Sequence, residues 1–314
     1  MTQRLLRCLS AALLVGALEQ PVLAQEAAPG PALATFKANV DLVRVTAVVH
    51  DHKGRYVRDL SARDFEILDS GQVRRIADFR NDMAGVSVAF LFDTSGSMES
   101  RIGEAREAAE QVLALLEPDR DEAAVFTFDT HLREITPFSA HLTTLPPDLW
   151  AVTPFGATSL YDAIAQTAER GSGERRRRAV VVMTDGDDNA SHLTPGEVSG
   201  IASAIDVPVY VFRIVSGIDN PSNDIAPTPR TTAVGDLLDL ATWTGGDMFV
   251  ASSPAERTVA AREIVDELRH QYLLAFESTG RPGWHPLVVR TRGKDLIVRA
   301  RSGYIAGDQR PNSF

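Results

Sequence analysis

Three separated pieces of this 314-residue chain carry side chains whose type and spacing suit a hard metal ion. They are Asp93, Ser95 and Ser97 around Gly96, then Thr158 in Phe155-Gly-Ala-Thr158, then Asp185 in Thr184-Asp-Gly186. All five offer oxygen, and none offers sulfur or nitrogen. Such a set suits Mg²⁺ or Ca²⁺, accommodates Mn²⁺, and disfavours zinc or copper. Side chains two apart around a glycine turn can converge on one point, while a helix that starts just beyond them presents free N–H groups nearby. A rival chemistry is covalent catalysis, because phosphate-transferring hydrolases place a nucleophilic Asp at the end of a buried strand. Those enzymes usually need a second Asp two residues on, where this chain has Ser95. Asp93-Thr-Ser-Gly also differs from the aspartic-protease Asp-Thr-Gly by a displaced glycine, and it has no second copy. Neither a Gly-x-Ser-x-Gly elbow nor a phosphate-binding Walker loop occurs.

These pieces need a common edge on which to meet. Val86 to Phe92 is apolar almost without interruption, as in a central strand buried on both faces, and it stops abruptly at Asp93. A helical pattern follows from near Arg101, with Ile102, Ala105, Ala109, Val112 and Leu116 on one face. Ala179 to Met183 is a second buried strand, ending at Thr184-Asp185-Gly186, and Val207 to Val215 a third. Ala123 to Phe128 reads as a further strand and His131 to Phe138 as a short return strand. Helices are expected over Ser159 to Glu169, Thr194 to Ile205 and Leu237 to Thr242, with a last one marked by Ala260, Ile264 and Leu268. Strands that alternate with helices predict an α/β domain over residues 84–270, with a doubly wound, mostly parallel sheet. Asp93 and Asp185 then share its carboxyl edge, where ligands bind in such folds. The long stretch from Ser216 to Ala233, with Pro221, Pro227 and Pro229, should emerge at that edge, either as a candidate binding loop or as a surface insertion with no role.

Strand-like segments flank this domain on both sides. Val43, Val45, Ala47 and Val49 alternate with Arg44 and Thr46, and Phe65 to Leu68 and Val73 to Phe79 flank a turn at Asp69-Ser-Gly71. Three or four strands are too few for independent stability. Tyr272 to Phe276, Pro286 to Arg290 and Leu296 to Arg301 are again strand-like, so segments 37–82 and 271–307 are expected to combine into one small β unit.

Composition narrows the setting. Arg4 and Arg7, an apolar run from Leu9 to Leu18 and the small-residue pattern Val22-Leu23-Ala24 predict a secretory signal peptide over 1–24, then a flexible Ala/Pro/Gly-rich leader over 25–36. The apolar run is too short to span a bilayer comfortably, so no stable membrane insertion is expected after cleavage. Export to the periplasm or the exterior follows. Cys8, the sole cysteine, would leave with the signal. Removing Arg4, Arg7 and Glu19 leaves 30 basic and 41 acidic residues, a net charge of −11 that argues against a nucleic-acid partner. The run Arg175 to Arg178 reads as the solvated start of a buried strand.

The motif Asp-x-Ser-x-Ser with a distant Thr and a distant Asp resembles the metal-ion-dependent adhesion site of the von Willebrand factor type A domain. All five positions match, as Asp93, Ser95, Ser97, Thr158 and Asp185. The resemblance runs from Val86 to His270, and the flanking segments, ending in Arg301-Ser-Gly-Tyr304, are similar to those of bacterial exported proteins that carry this domain. It implies that the two serines and the threonine coordinate the ion, that the aspartates bind it directly or through water, and that the protein is not an enzyme. With one carboxylate acting through water, the ion keeps residual positive charge, and a Glu or Asp of a partner protein can complete its shell. The function implied is metal-dependent protein binding or adhesion. The alternatives are a metal-dependent hydrolase or phosphotransferase using Asp93, or an envelope-assembly factor with a non-functional site. Asp185-Gly-Asp-Asp-Asn189 is not an EF-hand, since Ala190 and Gly196 stand where Gly and Glu are required. Asp187 and Asp188 are expected to be solvated loop carboxylates, and His50 and His52 an exposed pair with no third ligand.

Overall fold

The computed structural model describes residues 42–81, 85–170, 176–204, 206–215, 232–292 and 295–307, so the expected signal peptide, the leader and most of the 216–233 stretch lie outside the described residues. The N-terminal part contributes β1 (Leu42–His50), β2 (Phe65–Asp69), β3 (Gln72–Arg74) and β4 (Ile76–Arg80). The α/β part runs β5 (Val86–Asp93), α1 (Ile102–Leu113), β6 (Glu122–Phe128), β7 (Leu132–Ser139), α2 (Pro147–Ala151), α3 (Leu160–Glu169), β8 (Arg177–Thr184), α4 (Pro195–Ala204), β9 (Val209–Ile214), α5 (Thr232–Thr244), β10 (Met248–Ala251) and α6 (Pro254–Arg269). The chain closes with β11 (Gln271–Glu277), β12 (Gly283–Thr291), β13 (Ile297–Ala300) and β14 (Gly303–Ala306).

The central sheet has the order β10-β9-β8-β5-β6-β7, parallel except for β7, which returns antiparallel to β6. All eight residues of β5 are buried, because alternate side chains enter two different cores. Val86, Val88, Phe90 and Phe92 pack with α1 and α6, whereas Ala89 and Leu91 pack with α3, α4 and α5. This two-sided burial is why the strand reads as a continuous apolar run rather than an alternating one. The doubly wound α/β fold expected from the sequence is therefore the fold observed.

The flanking segments build more than the three or four strands plus additions expected. Two four-stranded sheets, β13-β1-β11-β4 and β14-β12-β2-β3, enclose one core that includes Val45, Phe65, Ile67, Tyr272, Phe276 and Leu287. Each sheet mixes the two chain ends: β1 pairs with β11 from Leu42↔Glu277 to Val48↔Gln271, and β12 pairs with β2 from Leu287↔Asp69 to Thr291↔Phe65. Val73 to Phe79 is not one strand but two, since β3 pairs with β2 in one sheet and β4 with β11 in the other. The Tyr272 hydroxyl ties this unit internally, donating to the Val57 carbonyl at 2.7 Å and accepting from Leu60 N–H at 3.2 Å. The β unit sits at the amino edge of the central sheet. There Thr46 and Arg301 engage Asp206 just ahead of β9, and Arg299 pairs with Glu267 near the end of α6. The carboxyl edge, where Asp93 lies, is left to the site.

Candidate metal site at the carboxyl edge

Asp93 is the last residue of β5 and is fully buried. Its Oδ1 accepts from Ser95 N–H at 2.9 Å and its Oδ2 from the Thr184 hydroxyl at 2.7 Å. That second bond exists because β5 and β8 are adjacent and parallel, with Phe92 opposite Met183. Burial, reinforced by the neighbouring Asp185 charge, pushes the Asp93 carboxyl up to about 6 against the pull of its hydrogen bonds. Beyond Asp93 the chain turns through Gly96–Met98, a single 3-10 turn anchored by the fully buried Met98. The turn brings the hydroxyls of Ser95 and Ser97 to 3.1 Å from one another.

Thr158 is buried and reaches the same turn through the backbone. Gly96 N–H donates to Gly156 O at 3.0 Å, and Phe155 N–H donates to Thr94 O at 2.9 Å. The approach to this loop is held by Arg106, which is buried on α1 and donates to the carbonyls of Leu149 at 2.8 Å and Val152 at 2.9 Å. Its guanidinium also lies 5.3 Å from the centre of the Trp150 ring. The short helix α2 that carries Trp150 was not expected from sequence.

Asp185 follows β8 directly and is nearly buried. Its Oδ2 accepts from Arg101 at 3.1 Å, while its Oδ1 is buried with no hydrogen-bond partner among the described residues. Gly186, at φ 101°, makes the sharp exit from the strand; a Cβ there would lie 3.0 Å from Nε of Arg213, which donates to the Asp185 carbonyl. The following loop is tied to the Thr158 segment. Thr158 N–H donates to Asn189 Oδ1 at 2.9 Å, and Asn189 and Ala190 N–H both return to the Thr158 carbonyl at 3.0 Å.

The structure thus gathers all three pieces at one edge, by bonds between Asp93 and Ser95, between Asp93 and Thr184, and between the Ser95 and Thr158 turns. Among the described residues no group of three His, Cys, Asp or Glu side chains is placed to hold a metal. Any ion here depends on hydroxyl donors alongside two carboxylates. The donor set fits a hard divalent ion, and the orphaned Asp185 Oδ1 is the acceptor such an ion would satisfy.

Two participants were missed by sequence reasoning. Thr184 orients Asp93, a role visible only once β5 and β8 are neighbours. Arg101 neutralises Asp185 across 84 positions of sequence, and only its place one turn after Ser97 hinted at it. Asp188 corrects an expectation: rather than a solvated carboxylate, it accepts from Leu160 N–H at 2.8 Å and from the Ser191 hydroxyl at 2.6 Å, capping α3. Asp187 is exposed, as expected. The basic run is also less solvated than expected: Arg176 is half-buried and bonds Glu122 and the Arg120 carbonyl, and Arg177 donates to the carbonyls of Leu268 and Arg269. His52 is exposed and faces Asp295 at 3.0 Å, whereas His50 is half-buried, its ring tilted at 45° to that of Tyr56 with centroids 4.5 Å apart.

The sequence profile of the von Willebrand factor type A domain matches residues 87–242. No curated protein matches the sequence. Among solved structures, BatB from Bacteroides thetaiotaomicron, described as a conserved hypothetical protein, is similar at 18% identity and TM-score 0.47, over 58% of this chain and 98% of that one. A von Willebrand factor type A protein from Catenulispora acidiphila is similar at 14% identity and TM-score 0.47, over 87% of this chain and 76% of that one. Proximal thread matrix protein 1 from the mussel byssus, with a zinc-occupied MIDAS motif, is similar at 19% identity and TM-score 0.48, over 64% of this chain and 50% of that one. Likenesses at this level carry no functional argument.

Proposed function

We propose that this chain, a von Willebrand factor type A domain protein whose family domain spans residues 87–242, is an exported protein-binding module that uses a divalent ion to capture an acidic side chain of a partner. The observation that carries this reading is Asp185 Oδ1, buried and unpartnered at the carboxyl edge of the sheet, the edge at which the Ser95 and Ser97 hydroxyls also meet. Asp93, Ser95, Ser97, Thr158 and Asp185 would hold Mg²⁺, or Ca²⁺ or Mn²⁺ in its place. The ion, when bound, supplies a positive coordination position for a carboxylate.

The chain's own residues do the rest. Thr184 holds Asp93 in place, the Gly96–Gly156 contact keeps Thr158 against the turn, and the orphan oxygen of Asp185 is kept from water by burial. A single carboxylate contact is weak, so the surrounding surface must contribute. Phe155 supplies an anchor. It is 83% exposed although its own N–H is fixed to Thr94, three residues ahead of Thr158. A rigid exposed aromatic beside a cation site suits a partner that presents an apolar residue next to its Asp or Glu.

The enzymatic alternative is disfavoured by geometry. Both oxygens of Asp93 accept hydrogen bonds and the side chain has no exposed surface, so it does not offer a nucleophile to a substrate. Export rests on the basic and apolar pattern of residues 1–24, and no described helix is long and apolar enough to cross a membrane. The stretch 216–233 is proposed as part of the same binding edge.

The test is retention of envelope proteins from the producing cell on immobilised protein, in Mg²⁺ or in EDTA, for the parent and a Ser95→Ala/Ser97→Ala variant. A partner held only by the parent in Mg²⁺ supports the reading. A partner held equally in EDTA and by the variant overturns it.

A further inference from the structure

Arg101 is placed where helix electrostatics alone would not put it. It is the N-cap residue of α1, at the positive end of the helix dipole, where an acidic or neutral capping side chain is favoured and a cation is opposed. Its side chain makes no cap hydrogen bond to α1. The guanidinium instead reaches across to β8, donating to Asp185 Oδ2 at 3.1 Å and to the Ser97 carbonyl at 3.3 Å. It thereby touches two of the three pieces of the candidate ion site. The pair is lopsided in exposure, with Arg101 27% exposed and Asp185 8%, so the arginine approaches from the solvent side.

The remaining charges around the site sharpen the point. Asp93 is the other carboxylate, bonded by Ser95 and Thr184, and Arg213 spends its Nε on the Asp185 backbone carbonyl. Arg101 donates to the Asp185 side chain itself and neutralises it directly. Asp185 then offers two unlike oxygens: Oδ2 is already neutralised by a guanidinium, and Oδ1 is buried with nothing bonded to it.

We infer that Arg101 is an internal counter-cation of the ion site, competing with a divalent ion for the charge of Asp185 and holding the ion affinity of the isolated protein down. This rests on the metal-binding reading above and adds a residue that sets how tightly the ion is held. Without the ion the guanidinium stabilises a nearly buried carboxylate. With it, the same positive charge stands beside another and repels it. A site tuned in this way fills only where the divalent ion is abundant, because like charge a side chain away weakens binding substantially even after solvent screening.

The experiment is a calorimetric Mn²⁺ titration of the full chain as parent, Arg101→Gln, Arg101→Lys and Ser95→Ala/Ser97→Ala. Arg101→Gln should bind Mn²⁺ about tenfold more tightly than the parent. Arg101→Lys, which keeps the charge, should stay within about threefold of it. A melting series gives an independent readout: in EDTA the Arg101→Gln variant should melt below the parent, and saturating Mn²⁺ should raise it by more than it raises the parent. If the serine variant loses Mn²⁺ but Arg101→Gln binds it with the parent's affinity or more weakly, the role given to Arg101 is wrong while the site stands. If the parent, Arg101→Gln and the serine variant are indistinguishable, the site itself is wrong and the inference falls with it.

Discussion

Replacing Asp93 by Asn should make the metal-free protein more stable, by an amount that depends on pH. The parent carboxyl is fully buried and titrates near 6 instead of its ordinary 3.8, with burial as the principal cause. In the unfolded chain it ionises near its ordinary value, so between about pH 4 and 6 the folded state holds the extra proton and stability falls as pH rises. Above about pH 6 the full penalty applies, up to about 3 kcal/mol for a displacement of this size. Asn removes the charge and keeps one bond while reversing the other: its carbonyl can accept from Ser95 N–H, and its amide can donate to the Thr184 hydroxyl, which donates to Asp93 in the parent and also accepts from Gly186 N–H. For a chain of this size the gain corresponds to a melting temperature higher by up to roughly 5 °C near pH 8. The assay is thermal unfolding of parent and Asp93→Asn in EDTA from pH 4 to 8, read as the difference between the two curves. That difference should be near zero at pH 4, grow to pH 6 and then level off. A flat difference, or an Asn variant less stable at pH 8 than at pH 4 relative to the parent, would refute the reasoning.

Three other outcomes are expected. Phe155→Ala should leave the melting temperature unchanged, because the ring is exposed, and weaken capture of an acidic partner about tenfold or more in a surface binding assay. Tyr272→Phe should cost about 1–3 kcal/mol in urea unfolding, since Leu60 N–H is left without its acceptor inside the β core, while Mn²⁺ affinity at the opposite edge stays the same. Gly186→Ala should lower Mn²⁺ affinity in a calorimetric titration as well as stability, by about 1–3 kcal/mol, because it forces a side chain into φ 101° against Arg213 and shifts Asp185.

Much of the site was legible because its signals are local. An uninterrupted apolar run ending at Asp93 names a central strand and its edge, and Ser95 and Ser97 follow within one turn. The same logic placed Asp185 at the end of β8. Thr184 and Arg101 were harder, since each acts on a carboxylate carried by a different element and nothing within their own stretch marks the partner. Asp188 was misread for the same reason: an acidic side chain in a loop looks solvated until the N-terminus of α3 is brought against it. In the β unit, alternation showed that Val73 to Phe79 is extended but not which neighbour each half takes. The break at Arg75 sends β3 to one sheet and β4 to the other, a decision made by β2 and β11. α5 begins at Thr232, earlier than expected, because its first turn carries little apolar periodicity.

The central claim is tested most directly by a Mn²⁺ titration of the parent beside Thr158→Ala. Thr158 lies on a loop joined to the Asp93 turn only by folding and is not bonded to either carboxylate in the described contacts, so its loss should affect an ion at the meeting point and little else. The account predicts one Mn²⁺ bound by the parent and an affinity at least about tenfold weaker in Thr158→Ala at unchanged stability. Equal Mn²⁺ binding by the two proteins, or none by the parent, would contradict it.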